Sequence, residues 1–178
     1  MRLVSKNGKI GVYDEAELKA IILLQMKPIV DDVVDEILKS LKRNIDKKVY
    51  NSFSPVSYQR LGDNGGLRSL WEDEKSIIKG EKVIGEVKEH PEKLTLNKKL
   101  FQHGSEFKRQ ENWYESDIRK VLAEIVIEGK SGALFGEGKW RKPRDFWHPL
   151  INKLDSDQIN KLIEKAFRKH KIKFIKIY

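Results

Sequence analysis

Hydrophobic residues in the first third of the chain recur at steps of three and four, the spacing of one face of an α-helix. The stripe consists of Val30, Val33, Val34, Ile37, Leu38, Leu41, Ile45 and Val49. Upstream, Asp14 and Glu17 have the spacing of a capping box, which predicts a helix start there. Pro28 interrupts the pattern, and it either kinks one long helix or opens the second of two.

The pattern changes after the glycine-rich stretch 62–66, which predicts a loop. Short apolar runs follow at Leu67–Trp71 and Ser76–Ile78, and residues Lys82–Val87 alternate between apolar and polar. Alternation with a period of two is typical of a β-strand with one buried face. We therefore predict a β section, with a turn near Lys79–Glu81 between its last two strands.

Residues 89–111 show little periodicity and are expected to form a long polar, basic loop. Ser116 precedes another helical stripe, and Asp155 with Gln158 marks the start of a last helix. The final residues 171–178 are rich in isoleucine and aromatics, which favours a strand.

The predicted order of elements is therefore α-β-β-α-α-β. This order is typical of an α+β fold, in which a small antiparallel or mixed sheet is flanked by amphipathic helices. With 178 residues the chain is long enough to bury a core of its own, and we expect residues 1–178 to form a single domain.

Positive charge is concentrated near the C-terminus. The net charge is +9, and residues 139–178 hold twelve basic and four acidic residues, which leaves +8 there. A basic region of this kind indicates contact with nucleic acid or with an acidic protein partner, and Lys169, Lys171 and Lys173 are the candidate contacts. A solubilising lysine face would give the same pattern.

Several site types have no support in the sequence. There is no cysteine, so disulfides and thiolate metal sites are excluded. The four histidines are His90, His103, His148 and His170. Because none is paired at metal-ligand spacing, we expect no metal or cofactor. The longest aliphatic run, 21–24, is far too short to span a bilayer, and the first residues lack the apolar core of a signal peptide.

Two groups of residues could carry catalysis. Glu86 and Lys88 form an E-x-K pattern on a predicted strand, and with Asp73 they could form a metal-dependent nuclease site. Alternating charges on the wet face of a strand give the same pattern. Asp145 and His148 are three residues apart, but a triad would also need a nucleophile on a tight turn, and the chain has no G-x-S-x-G. We expect the protein not to be an enzyme.

The segment GKWRKPRDFWHPL, residues 138–150, is dense in aromatic and basic residues. Pro143 and Pro149 bracket its second half. If this part is extended, Phe146 and Trp147 point in opposite directions, so that one seals the core while the other faces a partner. Aromatics beside arginines are typical of protein interfaces and also suit stacking on single-stranded nucleic acid.

Two stretches together resemble a known family. VYNSFSPVSYQRLGDNGGL, residues 49–67, follows the long helix, and IVIEGKSGALFGEGKWRKPRDFWHPLINKL, residues 125–154, precedes the last helix. In this order they resemble the tail-completion, or head–tail joining, proteins of long-tailed bacteriophages, which include the minor tail protein that completes the lambda tail. Leu61 stands where that family prefers threonine.

The resemblance implies a structural, non-catalytic protein of the virion neck, assembled in the bacterial host cytoplasm. It also implies a homo-oligomeric ring, six-fold to match the tail, between the head connector and the tail terminator, with DNA passing through it and no membrane contact. By position, Tyr58, Arg60, Arg144 and Phe146 match the motifs of that family. Together with the aromatic and basic segment, this predicts subunit or partner interfaces at Tyr58, Arg60, Trp140, Arg141, Arg144 and Trp147, and packing anchors at Pro55 and Phe146. The alternatives are a sequence-independent nucleic-acid-binding protein and a metal-dependent nuclease.

Overall fold

The structure, a computed structural model, describes residues 2–4, 10–12, 14–52, 64–95, 123–124, 126–128 and 143–172. Its helices and strands are β1 (Arg2–Val4), β2 (Ile10–Val12), α1 (Glu15–Ile45), β3 (Trp71–Lys79), β4 (Lys82–Glu89), α2 (His148–Ile151) and α3 (Ser156–Lys169). Strands β1 and β2 pair antiparallel, as do β3 and β4. These elements form a small α+β fold, as the sequence predicts.

Helix α1 has the predicted capping box. The Oδ1 atom of Asp14 accepts a hydrogen bond from the backbone N–H of Glu17 at 2.7 Å, and the Glu17 carboxylate accepts one from the backbone N–H of Asp14 at 3.3 Å. The helix continues through Pro28, so the single long helix is confirmed and the split pair is not. Its buried residues are Ile29, Val34, Leu38, Leu41 and Ile45. Proline has no backbone N–H, so Pro28 removes one hydrogen bond of the helix. All five buried residues follow Pro28, and their packing stabilises the helix in spite of this loss.

The predicted turn between β3 and β4 is confirmed. It consists of two residues, and the first, Gly80, has a φ of 61°, which glycine adopts without strain. The separate strand predicted over Leu67–Trp71 is wrong, because Leu67–Leu70 forms a 3-10 helix and β3 begins at Trp71. A 3-10 turn places residues three apart on the same side, so Leu67 and Leu70 both face the core.

A β-bulge shapes the middle of the hairpin. Lys75 and Ser76 on β3 lie opposite the single residue Gly85 on β4. The bulge turns Ser76 towards α1, where its backbone N–H donates to Asp31 at 2.8 Å and its hydroxyl donates to the carbonyl of Lys27 at 3.2 Å. Ser76 is fully buried, and these two bonds satisfy its polar groups.

The hairpin lies flat along α1. A Cβ atom added to Gly85 would come within 2.6 Å of methyl groups of Val30 and Val34, so glycine permits the close approach of strand and helix. At the tip of the hairpin, Glu81 accepts a hydrogen bond from Lys19 at 3.0 Å. The contacts therefore run along α1 from its first turns to its middle.

Helix α3 packs against α1 through ion pairs. Lys169 Nζ and His170 Nε2 lie 2.6 Å and 2.9 Å from the carboxylate of Asp32, and Lys165 Nζ lies 3.4 Å from Glu36. Later residues of α3 thus meet earlier residues of α1, so the two helices run antiparallel. The predicted cap of this helix is also confirmed, because Asp155 accepts a hydrogen bond from the backbone N–H of Gln158.

The hairpin and α3 lie on different sides of α1. Val30 and Val34 face the hairpin, whereas Asp32 and Glu36 face α3. Residues two positions apart on an α-helix are separated by about 200° around its axis. The described chain is therefore layered as hairpin, central helix and second helix.

The main core lies at the C-terminal end of α1. It consists of Leu38, Leu41, Ile45, Val49, Leu67, Leu70, Trp71, Leu94, Ala123, Val126, Phe146 and Leu150. Leu94 falls in the first part of the predicted polar loop, yet it is buried, and residues Pro91–Lys93 form a short 3-10 turn before it. Residues 90–95 form no strand and no α-helix, as expected of a loop, but the burial of Leu94 differs from the polar character predicted there. Residues 96–111 lie outside the described chain.

The described residues at the two ends of the chain form structures other than those predicted. The N-terminal pair β1 and β2 was not predicted. Of the strand predicted over residues 171–178, Lys171 and Ile172 form the turn that closes α3, and the remainder lies outside the described residues. Residues 123, 124 and 126–128 are helical, as predicted for the helix that follows Ser116, and Ser116 itself lies outside the described residues.

Candidate interface segment

Residues 143–154, here called the 143–154 segment, are the described part of the aromatic and basic stretch. The backbone N–H of Arg144 donates to the carbonyl of Val126 at 3.0 Å, which fixes the start of the segment. The side-chain amide of Asn44 donates to the carbonyl of Phe146 at 3.3 Å, which ties the segment to α1. The segment is thus anchored to two helical regions that are distant in sequence.

Trp71 contacts both aromatic side chains of this segment. The ring of Phe146 meets Trp71 edge-on at a centroid distance of 5.3 Å, and the ring of Trp147 stacks on it at 6.4 Å with planes 21° apart. Phe146 is fully buried and Trp147 is half-buried. The extended conformation on which the opposite orientation of the two aromatics depended is not maintained, because the chain turns into α2 directly after them. Phe146 nevertheless seals the core, while part of Trp147 stays exposed.

Asp145 starts this turn. Its Oδ1 atom accepts hydrogen bonds from the backbone N–H groups of Trp147 and His148 at 3.1 Å and 2.9 Å, and its Oδ2 atom lies 3.1 Å from His148 Nδ1. Partial burial works to raise the pKa of Asp145, but the hydrogen bonds from the His148 backbone and ring outweigh it and hold that pKa below its usual value. The carboxylate therefore serves as a local cap, and in the described chain the His148 ring bonds to no hydroxyl group.

The three residues of the nuclease pattern do not share a face of the hairpin. Asp73 pairs across the strands with Val87, while Glu86 and Lys88 flank Val87 on β4. Successive side chains of a strand point to opposite faces, so Asp73 lies on the helix side of the hairpin and Glu86 and Lys88 lie on its outer side. The geometry of these described residues does not form the predicted carboxylate–lysine site.

Lys169, a predicted contact for DNA or an acidic partner, is engaged within the chain by Asp32. Partial burial works to raise the pKa of Asp32, and the hydrogen bonds from Lys169 and His170 together overcome it and lower that pKa. The side chain of Lys169 is still exposed on one side. Its charge helps to hold α3 on α1, which is a role that charge counting alone did not predict.

Lys171 closes the end of α3 in a left-handed conformation with a φ of 56°. Its backbone N–H donates to the carbonyl of Arg168 at 3.1 Å, and that of Ile172 donates to the carbonyl of Phe167 at 3.0 Å. This pair of bonds is the Schellman arrangement, in which glycine usually occupies the left-handed position. The exposed Lys171 side chain projects from this turn.

Six of the residues predicted for interfaces, packing or charge contacts are not among those that the structure describes. Pro55, Tyr58, Arg60, Trp140, Arg141 and Lys173 lie outside the described residues. Of the assigned set, the structure therefore places Arg144, Phe146 and Trp147, all within the 143–154 segment, together with Lys169 and Lys171 at the end of α3.

Sequence reasoning missed two features of the described surface. The first is Trp71, whose role as a platform depends on contacts with residues about 75 positions later. The second is a cleft on α1 that is dominated by basic side chains. Its lining residues are Glu36, Lys39, Lys42, Arg43, Asp46 and Arg68. The helical spacing of the first five could have shown that they share one side of α1.

The described chain contains neither a metal-ligand cluster nor a membrane-spanning helix. Within it, no group of three or more histidine, aspartate or glutamate side chains is arranged to hold a metal ion. Its helices include none that combines the length and the apolar character needed to cross a membrane.

Comparison with known families places most of the described chain in a family. The model of the YomN family matches residues 14–170, from the N-cap of α1 to the C-cap of α3. The chain belongs to the YomN family. Membership of the YomN family indicates a phage-associated protein. Comparison with curated proteins and with solved structures gave no significant match.

Proposed function

We propose that this member of the YomN family is a structural protein of the phage neck, which completes the tail or joins it to the head. In this role it forms a ring, six-fold to match the tail, between the head connector and the tail terminator. The observation that carries the proposal is the combination of a phage-associated family with the two sequence stretches that resemble tail-completion proteins. The protein acts in the virion after assembly in the host cytoplasm.

The packing of the 143–154 segment supports a structural role. Asp145 is used as a cap and Phe146 as a core side chain, so two of the chemically suggestive residues serve the fold. Trp147 is held against Trp71, and a pre-ordered aromatic side chain loses little entropy when a partner covers its remaining surface. We assign Trp147 and Arg144, with Tyr58, Arg60, Trp140 and Arg141, to contacts between subunits or neck partners.

We propose no catalytic activity, metal or cofactor. The separation of Asp73 from Glu86 and Lys88 onto opposite faces of the hairpin supports this for the nuclease alternative. Purified protein incubated with plasmid DNA and Mg²⁺ or Mn²⁺ is expected to leave the DNA intact. Cleavage that disappears in a Glu86→Gln variant would replace this proposal with an enzyme.

Deletion of the gene tests the neck role. Because head and tail assemble separately before a neck protein joins them, the deletion is expected to yield DNA-filled heads and full-length tails that remain apart in electron micrographs. Supplying the wild-type gene in trans is expected to restore joined, infectious particles. Normal virions from the deletion strain, or a lack of heads and tails alike, would contradict the proposal.

Sequence-independent nucleic-acid binding is the second candidate. The observation that favours it is the basic C-terminal region, with twelve basic and four acidic residues from 139 to 178. A protein that lines a DNA channel needs only weak contact with phosphates, whereas a dedicated binding protein keeps its affinity at physiological salt. Salt dependence therefore separates the two candidates.

A further inference from the structure

The outer face of the β3–β4 hairpin carries an uncovered apolar pair. Ile77 and Ile84 lie directly opposite each other across the strands, and they are 58% and 40% exposed. Their side chains point away from α1, because Gly85 and Ser76, on the other face, contact that helix. An exposed cross-strand isoleucine pair gains stability when another surface covers it.

Like charges sit beside this apolar pair. Glu74 and Glu86 are directly opposite each other in the next paired position on the same face. Two carboxylates opposite each other in a sheet repel, and this destabilises the hairpin. His90 lies 3.3 Å from Glu74, but Glu86 has no ion-pair partner among the described residues. A cationic surface placed over Glu74 and Glu86 would remove this repulsion. Beyond the isoleucines, Lys79 and Lys82 lie opposite each other on the same face, so the face is acidic on one side of the apolar pair and basic on the other.

The described chain offers such a cationic surface at another place. In the cleft on α1, Lys39 pairs with Asp35 and Glu36, and Arg68 pairs with Asp46. Lys42 and Arg43, in contrast, have no ion-pair partner among the described residues. The Arg43 guanidinium donates only to the carbonyl of Lys39 and the hydroxyl of Ser40, so its charge is not neutralised.

Net charge also differs between the two ends of the unit formed by α1 and the hairpin. Residues 14–36 and 71–89, which form the first part of α1 and the hairpin, hold thirteen acidic and six basic residues and carry a net charge of −7. Residues 37–52, which are the last part of α1 and the residues that follow it, hold five basic and one acidic residue and carry +4. One end of the helix–hairpin unit is therefore acidic and the other is basic.

We infer that the outer face of the hairpin, with Ile77, Ile84, Glu74 and Glu86, docks on the Lys42–Arg43 surface of a second copy of this chain. The two surfaces are different parts of the molecule, so the contact is heterologous and runs head to tail. A head-to-tail contact closes into a ring when its rotation permits, whereas a two-fold contact ends at a dimer. The inference rests on the proposed neck ring and names the surfaces that would build it.

A charge-swap experiment tests this contact. Sedimentation velocity at about 50 mM salt, where charge pairs are weakly screened, measures self-association of the full chain up to about 1 mM. The wild-type chain is expected to associate. A Glu74→Lys/Glu86→Lys variant and a Lys42→Glu/Arg43→Glu variant are each expected to associate at least about tenfold more weakly, because like charges then face each other.

Mixing the two variants gives the decisive result. The lysines on the hairpin of the first variant then meet the glutamates on α1 of the second variant. The equimolar mixture is therefore expected to form dimers that neither variant forms alone. The matched control for the glutamate variant is Asp73→Lys/Asp157→Lys, which raises the net charge by the same amount but alters neither surface, and it is expected to associate like the wild type. Circular dichroism establishes that each variant is folded.

Four outcomes overturn the contact. They are a wild-type chain that stays monomeric at 1 mM, swapped variants that associate normally, a control variant that is equally weakened, and a mixture that does not associate. None of them decides the neck role, which depends on whether the chain is present in virions. Conversely, self-association as described, together with absence of the chain from virions, would contradict the neck role but support this contact.

Discussion

Trp71 shows how one side chain joins parts of the chain that are far apart in sequence. It begins β3 at the end of the 3-10 turn, and it contacts Phe146 and Trp147 about 75 residues later. The edge-on and stacked geometries are the arrangements that aromatic rings prefer, and each adds about 1 kcal/mol to the burial of the rings. Trp71 and Phe146 are therefore expected to contribute strongly to the stability of the fold.

Replacement of Phe146 with alanine tests this contribution. Because the ring is fully buried between α1 and β3, the variant is expected to lose about 3–5 kcal/mol of unfolding free energy. Urea denaturation followed by tryptophan fluorescence measures the loss. Ile151→Ala is the control in the same segment, and since Ile151 is 46% exposed, its loss is expected to be about 1 kcal/mol or less. Equal losses in the two variants would contradict the assignment.

Lys171 is a residue whose backbone conformation does not suit its side chain. Its left-handed φ costs an L-residue about 1 kcal/mol, which glycine does not pay in the folded state. Lys171→Gly is expected to raise the unfolding free energy by up to about 1 kcal/mol, reduced by the greater freedom of glycine in the unfolded chain. Lys171→Ala keeps the strain and is expected to bring no gain in thermal melts. A less stable glycine variant would contradict the Schellman cap.

At the scale of elements, local signals were sufficient where the determinants are close in sequence. The caps at Asp14 and Asp155 and the turn at Gly80 were all predicted, since each depends on residues within a few positions. Pro28 left the helix undecided, because its tolerance depends on burial farther along α1. The 3-10 turn at Leu67–Leu70 was mistaken for a strand, since Leu67 and Trp71, four positions apart, would also share one face of a strand.

The candidate site was less predictable than the elements. Sequence alone identified the residues of the 143–154 segment as unusual, but not that Asp145 caps a helix or that both aromatics meet Trp71. Those facts depend on contacts between distant parts of the chain. The basic cleft on α1 and the paired isoleucines on the hairpin were missed for the same reason. The cleft depends on the position of Arg68 beside α1, and the isoleucine pair depends on the register between β3 and β4.

The contact between α1 and α3 is expected to weaken in acid. The pKa of Asp32 is lower in the folded chain than in the unfolded chain, so its contribution is present above the unfolded value of about 3.9 and is lost as pH falls through the folded value. Asp32→Asn is therefore expected to lower stability at neutral pH and to flatten its fall below pH of about 4. Chemical denaturation across pH measures this.

The matched control for Asp32 is Asp157→Asn. Asp157 is exposed in the first turn of α3 and has no ion pair among the described residues. This variant is expected to keep the acid dependence of the wild type. If both variants lose stability in acid as steeply as the wild type, the Asp32 contact does not hold α3 on α1.

At the scale of the whole molecule, positive charge dominates, yet it is unevenly distributed. The net charge is +9, while the helix–hairpin unit has an acidic end. A molecule of this kind attracts DNA weakly through its basic regions and can attract a second copy through its opposite ends. Structural assembly and weak DNA contact are thus compatible in one chain.

The affinity for DNA is expected to be weak and strongly dependent on salt. Because phosphate contacts release counterions whatever the sequence, we expect retention of duplex DNA at about 50 mM salt, none at about 200 mM, and no sequence preference. Electrophoretic mobility shifts measure this. A Lys171→Glu/Lys173→Glu variant, which leaves the Lys169–Asp32 pair intact, is expected to weaken the low-salt binding. Binding that survives the higher salt would favour a dedicated nucleic-acid-binding protein.

Reconstruction of purified virions by electron cryomicroscopy, with mass spectrometry of the same particles, tests the neck role most directly. The proposed role predicts this chain in the particles, as a ring of density between the head connector and the tail terminator. The long α1 with its hairpin gives a shape that can be recognised in such density. Virions that join head and tail fully and contain no copy of the chain would contradict the account.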